Sequence, residues 1–153
     1  MIARKKPITI LMAEDDLDDQ ILLQRALEES RFLNELHFVR DGEELLDYLY
    51  HRGLYTEPVK APRPGLILLD LNLPKIDGQQ VMQDIKSDPN LRRIPIVILT
   101  ASHEEVDIHR SYALGASSYL RKPMRFESLV EVIETLGAYW FEIVELPPEP
   151  GQS

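Results

Sequence analysis

The chain reads as an α/β protein, a doubly wound sandwich of five tandem β/α units with a parallel five-stranded sheet of order 2-1-3-4-5. Three observations predict it. Short apolar runs alternate with stretches of helical periodicity along the whole of the 153 residues. The runs ITILMA, LILL and IPIVIL are continuously apolar rather than alternating, which marks strands buried on both faces and hence a sheet between helical layers. Right-handed crossovers leave few arrangements for such units, and the doubly wound order fits them.

The elements follow in order. ITILMA (8–13) is a central strand, and Leu22, Leu23, Ala26 and Leu27 then recur at helical spacing. LHFV (36–39) is a second strand, followed by a helix with Leu45, Leu46 and Leu49 on one face and Gly53 as its stop. LYTEPVKAPRPG (54–65) holds three of the eleven prolines and predicts an exposed loop, longer than the usual connection. LILLDL (66–71) is the third strand, and Val81, Met82 and Ile85 mark the helix after it. IPIVILT (94–100) is the fourth, with a helix that closes on Gly115; SSYLRKP (117–123) is a weaker fifth strand before FESLVEVIETL. A single domain over 1–153 is expected, with a core of about 8–136 and a C-terminal extension of 137–153. Leu129, Ile133, Leu136, Trp140 and Ile143 keep helical spacing, so the last helix is expected to continue through Gly137 towards Val144. A break at Gly137 is the alternative, since glycine costs about 1 kcal/mol in a helix interior. The tail past Leu146 is expected to fray.

Composition narrows the functions. The net charge of −9 disfavours nucleic-acid binding, which needs a basic face to meet phosphates. With no cysteine, disulfides, thiolate metal sites and cysteine nucleophiles are excluded. No apolar run approaches the roughly 20 residues that cross a bilayer, and MIARKKPITI lacks the apolar core and cleavage site of a signal peptide. A cytoplasmic protein acting away from membranes is expected. The four histidines share no metal-ligand spacing and are read as surface or packing residues, and Lys75 as an exposed loop charge.

In a 2-1-3-4-5 sheet the order reverses between strands 1 and 3, and ligands bind at the carboxyl ends there. Those ends carry Glu14, Asp15 and Asp70. Consecutive acids repel, and three converging carboxylates ask for a cation. Mg2+ suits one or two carboxylates, a carbonyl and several waters, so Asp15 and Asp70 are expected as direct ligands and Glu14 through water. Asp18 and Asp19 read as ordinary acids of a helix start. Strand 4 ends at Thr100, a hydroxyl donor, and strand 5 at Lys122, a flexible ammonium. Carboxylate, Mg2+, hydroxyl and ammonium around one point form a cradle for phosphoryl transfer.

LILLDLNLPKIDG, with MAEDD upstream and TA and KP downstream, resembles the receiver domain of two-component response regulators, from about Ile8 to Leu136. The resemblance implies a flavodoxin-like fold and a phosphoryl group accepted by Asp70 from the phosphohistidine of a sensor histidine kinase. It implies Mg2+ held by Asp15, Asp70 and the Asn72 carbonyl, with Thr100 and Lys122 on the phosphoryl oxygens and Tyr119 as an aromatic switch paired with Thr100. Lys122-Pro123 would be a cis peptide by the same resemblance. Glu14 departs from the more common Asp there. HFVRDGEELLDYL, the APRPGLILLDLNLPK junction and LGAYWFEIVELP are similar to the stand-alone regulators of cyanobacterial and bacterial phytochrome kinases, which implies a phytochrome partner and a homodimer.

Two other readings remain. A Mg2+-dependent phosphohydrolase with an Asp70 intermediate would usually place a second Asp two residues on, where this chain has Asn72. A degenerate receiver acting as a scaffold would not be expected to keep Asp15, Asp70, Thr100 and Lys122 together. Only slow self-dephosphorylation is expected, with output by protein contact, since the chain ends too soon after the receiver for an output domain. Tyr139, Trp140, Phe141, Ile143 and Val144 put apolar surface at the chain end. The first four are the expected dimer contacts, beside the face of helix 4, strand 5 and helix 5; folding back over the same domain is the alternative.

Overall fold

The computed structural model describes residues 7–30, 32–143 and 145–147. Five parallel strands form one sheet: β1 (Ile10–Ala13), β2 (Leu36–Val39), β3 (Leu66–Leu69), β4 (Ile96–Thr100) and β5 (Ser118–Arg121). Their order is β2-β1-β3-β4-β5, as expected. The helices are α1 (Leu17–Glu29), α2 (Gly42–Tyr50), α3 (Gly78–Ser87), α4 (Glu105–Ala113) and α5 (Phe126–Leu136).

The continuous apolar strands divide by parity. Ile10 and Met12, Leu66 and Leu68, and Val97 and Leu99 face one layer, where Leu23, Ala26 and Leu27 of α1 and Leu129, Ile133 and Leu136 of α5 close over them. Leu11 and Ala13, Ile67 and Leu69, and Ile96 and Ile98 face the other, under Leu45 and Leu49 of α2 and Val81, Met82 and Ile85 of α3. A period of two with both sets apolar is what a sheet covered on both sides requires. Each such aliphatic side chain contributes about 1.5–3 kcal/mol on full burial, which offsets the cost of a charged site at the sheet's edge.

β1 and β4 are each two residues shorter than their apolar runs, and the shortening is at the amino end, away from the site. Asp16, rather than Asp18 or Asp19, caps α1: its carboxylate accepts from the main-chain N–H groups of Asp18 at 2.8 Å and Asp19 at 3.2 Å. Asp41 and Asp77 cap α2 and α3 in the same way. The stop of α2 is His51 and not Gly53: His51 takes the left-handed conformation at φ 55°, and its ring lies 2.8 Å from the Ala61 carbonyl. That contact and the Tyr48 hydroxyl, donating to the Pro62 carbonyl at 2.8 Å, pin the far end of the 54–65 loop. The loop's tip is exposed at Leu54 and Val59, as its prolines predict. Lys75 also lies in the left-handed region, with its ammonium 3.6 Å from Asp41 and 3.5 Å from Glu43.

The last helix does not break at Gly137. It continues as a π-helix over Gly137–Ile143. Trp140 and Phe141 are both half-buried and both pack against the core layer of α1 and α5. Phe141 packs edge-on against Phe32, ring centres 5.1 Å apart. Tyr139 is 52% exposed, and with the half-buried Trp140 it lines a groove of about 490 Å³ with Ser118, Leu120, Val132 and Thr135. The side chain of Ile143, and the tail from residue 148, lie outside the described residues.

Candidate functional site

The carboxyl ends of β1, β3, β4 and β5 form one rim. The ladder runs on for a residue beyond the strands: Glu14 N–H donates to the Val39 carbonyl at 2.9 Å, Asp70 N–H to Ala13 at 3.2 Å, and Lys122 N–H to Thr100 at 2.6 Å. The backbone that carries each functional group is therefore fixed by the sheet itself. Gly78 seats the turn after Asp70. A Cβ there would stand 2.7 Å from the Asp70 carbonyl oxygen and 2.8 Å from Leu71 Cα, so this glycine lets α3 start directly against the end of β3.

Asp70 is 5% exposed and engaged on both oxygens. Its Oδ1 accepts from the Thr100 hydroxyl at 2.8 Å and the Asn72 main-chain N–H at 3.0 Å; its Oδ2 accepts from Lys122 Nζ at 3.0 Å. A carboxylate this buried needs such partners, since an unpaired one costs several kcal/mol. Glu14, 1% exposed, binds Lys122 through Oε1 and the Asp16 main-chain N–H through Oε2. Burial raises its pKa and outweighs the lowering by Lys122. Gln20 Nε2 donates to the Glu14 carbonyl at 2.7 Å and ties the strand end to α1.

Lys122 is the centre of the charge pattern. Burial pulls its pKa down, but Glu14, Asp70 and Asp19 more than offset this, so the pKa is raised and the ammonium stays charged. The positive group among the acids is thus a lysine from the far end of the chain. Asp19 was not expected in this company. Its Oδ2 lies 3.0 Å from Lys122 Nζ, where the sequence had offered only a helix-start acid. The signal available was spacing: Asp19 lies one helical turn beyond Asp15, on the side of α1 that faces the rim.

Asp15 is half-buried and makes no hydrogen bond or ion pair to another described residue. Among the described residues no three acidic or histidine side chains form a ready-made metal cage, because the Lys122 ammonium stands between Glu14 and Asp70. The donor set nevertheless fits a hard divalent cation: Asp15 is uncommitted, Asp70 and Glu14 are acceptor-only oxygens, and the cation now among them sits on a flexible arm. The Lys122–Pro123 peptide is trans, not cis as the resemblance implies; trans is the lower-energy isomer of an X-Pro bond by about 0.5–1 kcal/mol.

Tyr119 stands outside this group. Its hydroxyl donates to the Ser102 carbonyl at 3.0 Å, in the turn that follows Thr100. Ser102 in turn donates to Asp107 at 2.6 Å, and Gln79 reaches the same carboxylate at 3.4 Å. Thr100 and Tyr119 are therefore linked through Ala101 and Ser102 of the β4–α4 turn. Of the histidines, His37 pairs with Glu35 and tilts against the Tyr48 ring, and His51 meets the Ala61 carbonyl.

Fold and rim together define a phosphoryl-acceptance signalling module. Residues 10–134 match the response regulator receiver domain family, and the chain belongs to it. It is 43% identical over 141 residues to response regulator Rcp1 of Synechocystis, covering 92% of this chain and 94% of that one. The crystal structure of the Mn(2+)-bound form of Rcp1 superposes with a TM-score of 0.84 at 42% identity, over 93% of this chain and all of the other. The phosphorylated cyanobacterial phytochrome response regulator RcpA gives a TM-score of 0.86 at 41% identity, over 94% of this chain and 100% of its own. The chain is thus a receiver closely related to phytochrome response regulators, and the phosphohydrolase and scaffold readings are not favoured. Among the described residues no helix is long and apolar enough to cross a membrane.

Proposed function

We propose that the protein is a cytoplasmic phosphoryl-accepting switch whose donor is the phosphohistidine of a phytochrome-type sensor histidine kinase and whose acceptor is Asp70. The observation that carries this is the Asp70 carboxylate itself, held at a strand end by Thr100, Asn72 and Lys122. An Asp70 oxygen attacks phosphorus, the P–N bond breaks, and its electron pair leaves with the donor imidazole, which is then protonated. The product is an acyl phosphate on Asp70. Thr100 and Lys122, already hydrogen-bonded to the carboxylate, lie where the phosphoryl oxygens arrive, and they stabilise the transferred charge without prior rearrangement of the backbone. Asp15, Asp70 and the Asn72 carbonyl would hold Mg2+, with Glu14 through water. When bound, the ion neutralises charge on the transferring group.

No acid stands two residues after Asp70, where Asn72 offers no proton to a leaving group, which supports slow self-dephosphorylation over turnover of outside substrates. Signalling follows from Thr100. When its hydroxyl turns from Asp70 to a phosphoryl oxygen, the β4–α4 turn shifts and releases the Ser102 carbonyl from Tyr119, a population shift of a two-state element. Output is by protein contact, with a homodimer through α4, β5 and α5 in which Tyr139 and Trp140 add area. Their groove supports this reading, and Phe141 and Ile143 stay among the proposed contacts beside it. An autophosphorylated phytochrome kinase mixed with the chain should pass its label on within seconds to minutes. A chain that takes label from acetyl phosphate but from no phytochrome kinase would remove the partner from the proposal.

A further inference from the structure

Three carboxylates share the three donors of the Lys122 ammonium, and they are not equivalent. Glu14 and Asp70 lie on rigid strand ends and are buried, and both have other work in the proposed reaction. Asp19 does not. It lies on the first turn of α1, its side chain is 34% exposed, and its Oδ2 stands 3.0 Å from Nζ. Its own main-chain N–H is bound by the Asp16 cap, so the turn that carries it is fixed.

We propose that Asp19 is a positioning residue for Lys122, a holding partner that keeps the ammonium on the α1 side of the rim. This rests on the reading of Asp70 as acceptor and adds a residue to its machinery. An ammonium shared by three carboxylates competes with any divalent cation for Glu14 and Asp70. A partner outside the metal's donor set relieves that competition, because Lys122 can leave the other two oxygens without losing its last ion pair. After transfer, one N–H can serve the phosphoryl group while another stays on Asp19. Lys122 then bridges the phosphoryl group to the first turn of α1.

The consequence is directional. Without the Asp19 charge, Lys122 settles on Glu14 and Asp70, and a divalent cation binds less well. For a pair one-third exposed on one side, the weakening should be about threefold to fivefold in Kd. The effect must pass through the lysine, which separates it from the simple loss of a negative charge near a cation.

The test uses the full chain and Mg2+ alone, titrated by calorimetry, with nitrogen-edited NMR of the lysine ammonium groups. In wild type the Lys122 ammonium should give a resonance protected from solvent exchange, assigned by its loss in Lys122→Gln. Asp19→Asn should shift or broaden it and raise the Mg2+ Kd, and Asp19→Glu should restore both. In the Lys122→Gln background the Asp19→Asn change should leave the Kd unmoved. An unchanged ammonium signal in Asp19→Asn, or an equal Kd rise without the lysine, overturns the inference. Failure of wild type to take a phosphoryl group from acetyl phosphate would instead overturn the acceptor reading, and the NMR and Mg2+ results would still stand as measured.

Discussion

Gly137→Ala sets two effects of opposite sign against each other. In an ordinary helix interior the change should stabilise by about 1 kcal/mol, since alanine is the better helix former. Gly137 is helical here, with φ −64° and ψ −43°, so that gain is available. The added Cβ, however, would stand 2.0 Å from Phe32 Cε2, 2.1 Å from Cζ and 2.7 Å from Cδ2. All are closer than real side chains approach, and the ring has little room to yield because Phe141 meets it edge-on at 5.1 Å. Overpacking of this kind costs about 1–3 kcal/mol, and three ring carbons in conflict put it at the upper end. The expected net is a loss of about 2 kcal/mol, or roughly 4–8 °C in Tm for a chain of this size. Thermal and urea unfolding of Gly137→Ala, Phe32→Ala and the double variant measure it. In the Phe32→Ala background the sign should reverse to a gain of about 1 kcal/mol, a coupling of about 3 kcal/mol between the sites. A neutral or stabilising Gly137→Ala in the wild-type background would refute the packing of the π-turn on Phe32.

Three further outcomes are expected. Ser111 is fully buried in α4, and its hydroxyl is the one side-chain group among the described residues recorded as buried without a hydrogen-bond partner; Ser111→Ala should raise stability by about 1 kcal/mol in urea unfolding, and a loss of that size would show that the hydroxyl is satisfied. Thr100→Ala should still accept a phosphoryl group but lose the phosphorylation-dependent NMR shifts around Tyr119, Ser102 and Asp107; the full wild-type pattern in that variant would break the proposed coupling. Tyr139→Ala with Trp140→Ala should give a folded monomer in sedimentation, whereas truncation after Leu136 should also destabilise by uncovering Phe32. A wild-type chain that stays monomeric at high micromolar concentration, phosphorylated or not, would remove the dimer.

Much of this was legible in the sequence, and the rest fails for identifiable reasons. Continuous apolar runs announced a sheet covered on both sides, and each strand's last residues announced the rim, because a parallel sheet puts all its carboxyl ends on one edge. Glu14, Asp70, Thr100 and Lys122 were found this way and do meet. Asp19 was missed because its partner is 103 residues away and an acid in a first helical turn has a sufficient local explanation. The π geometry of the extension was not legible, since a 3.6-residue period cannot anticipate it. The contacts that accompany it are tertiary: Gly137 leaves room for the Phe32 ring, and Phe141 meets the same ring. His51 took the place of Gly53 as helix stop for a similar reason, since its contact with the Ala61 carbonyl supports a left-handed residue that local sequence does not favour.

The most direct test of the account is covalent labelling at Asp70. Acetyl phosphate with Mg2+, followed by intact-mass measurement, should add one phosphoryl group to wild type and none to Asp70→Asn, a change that keeps the shape and removes the nucleophilic charge. Equal labelling of the two proteins, or an unlabelled wild type at saturating donor, would contradict the claim that this rim exists to receive a phosphoryl group on Asp70.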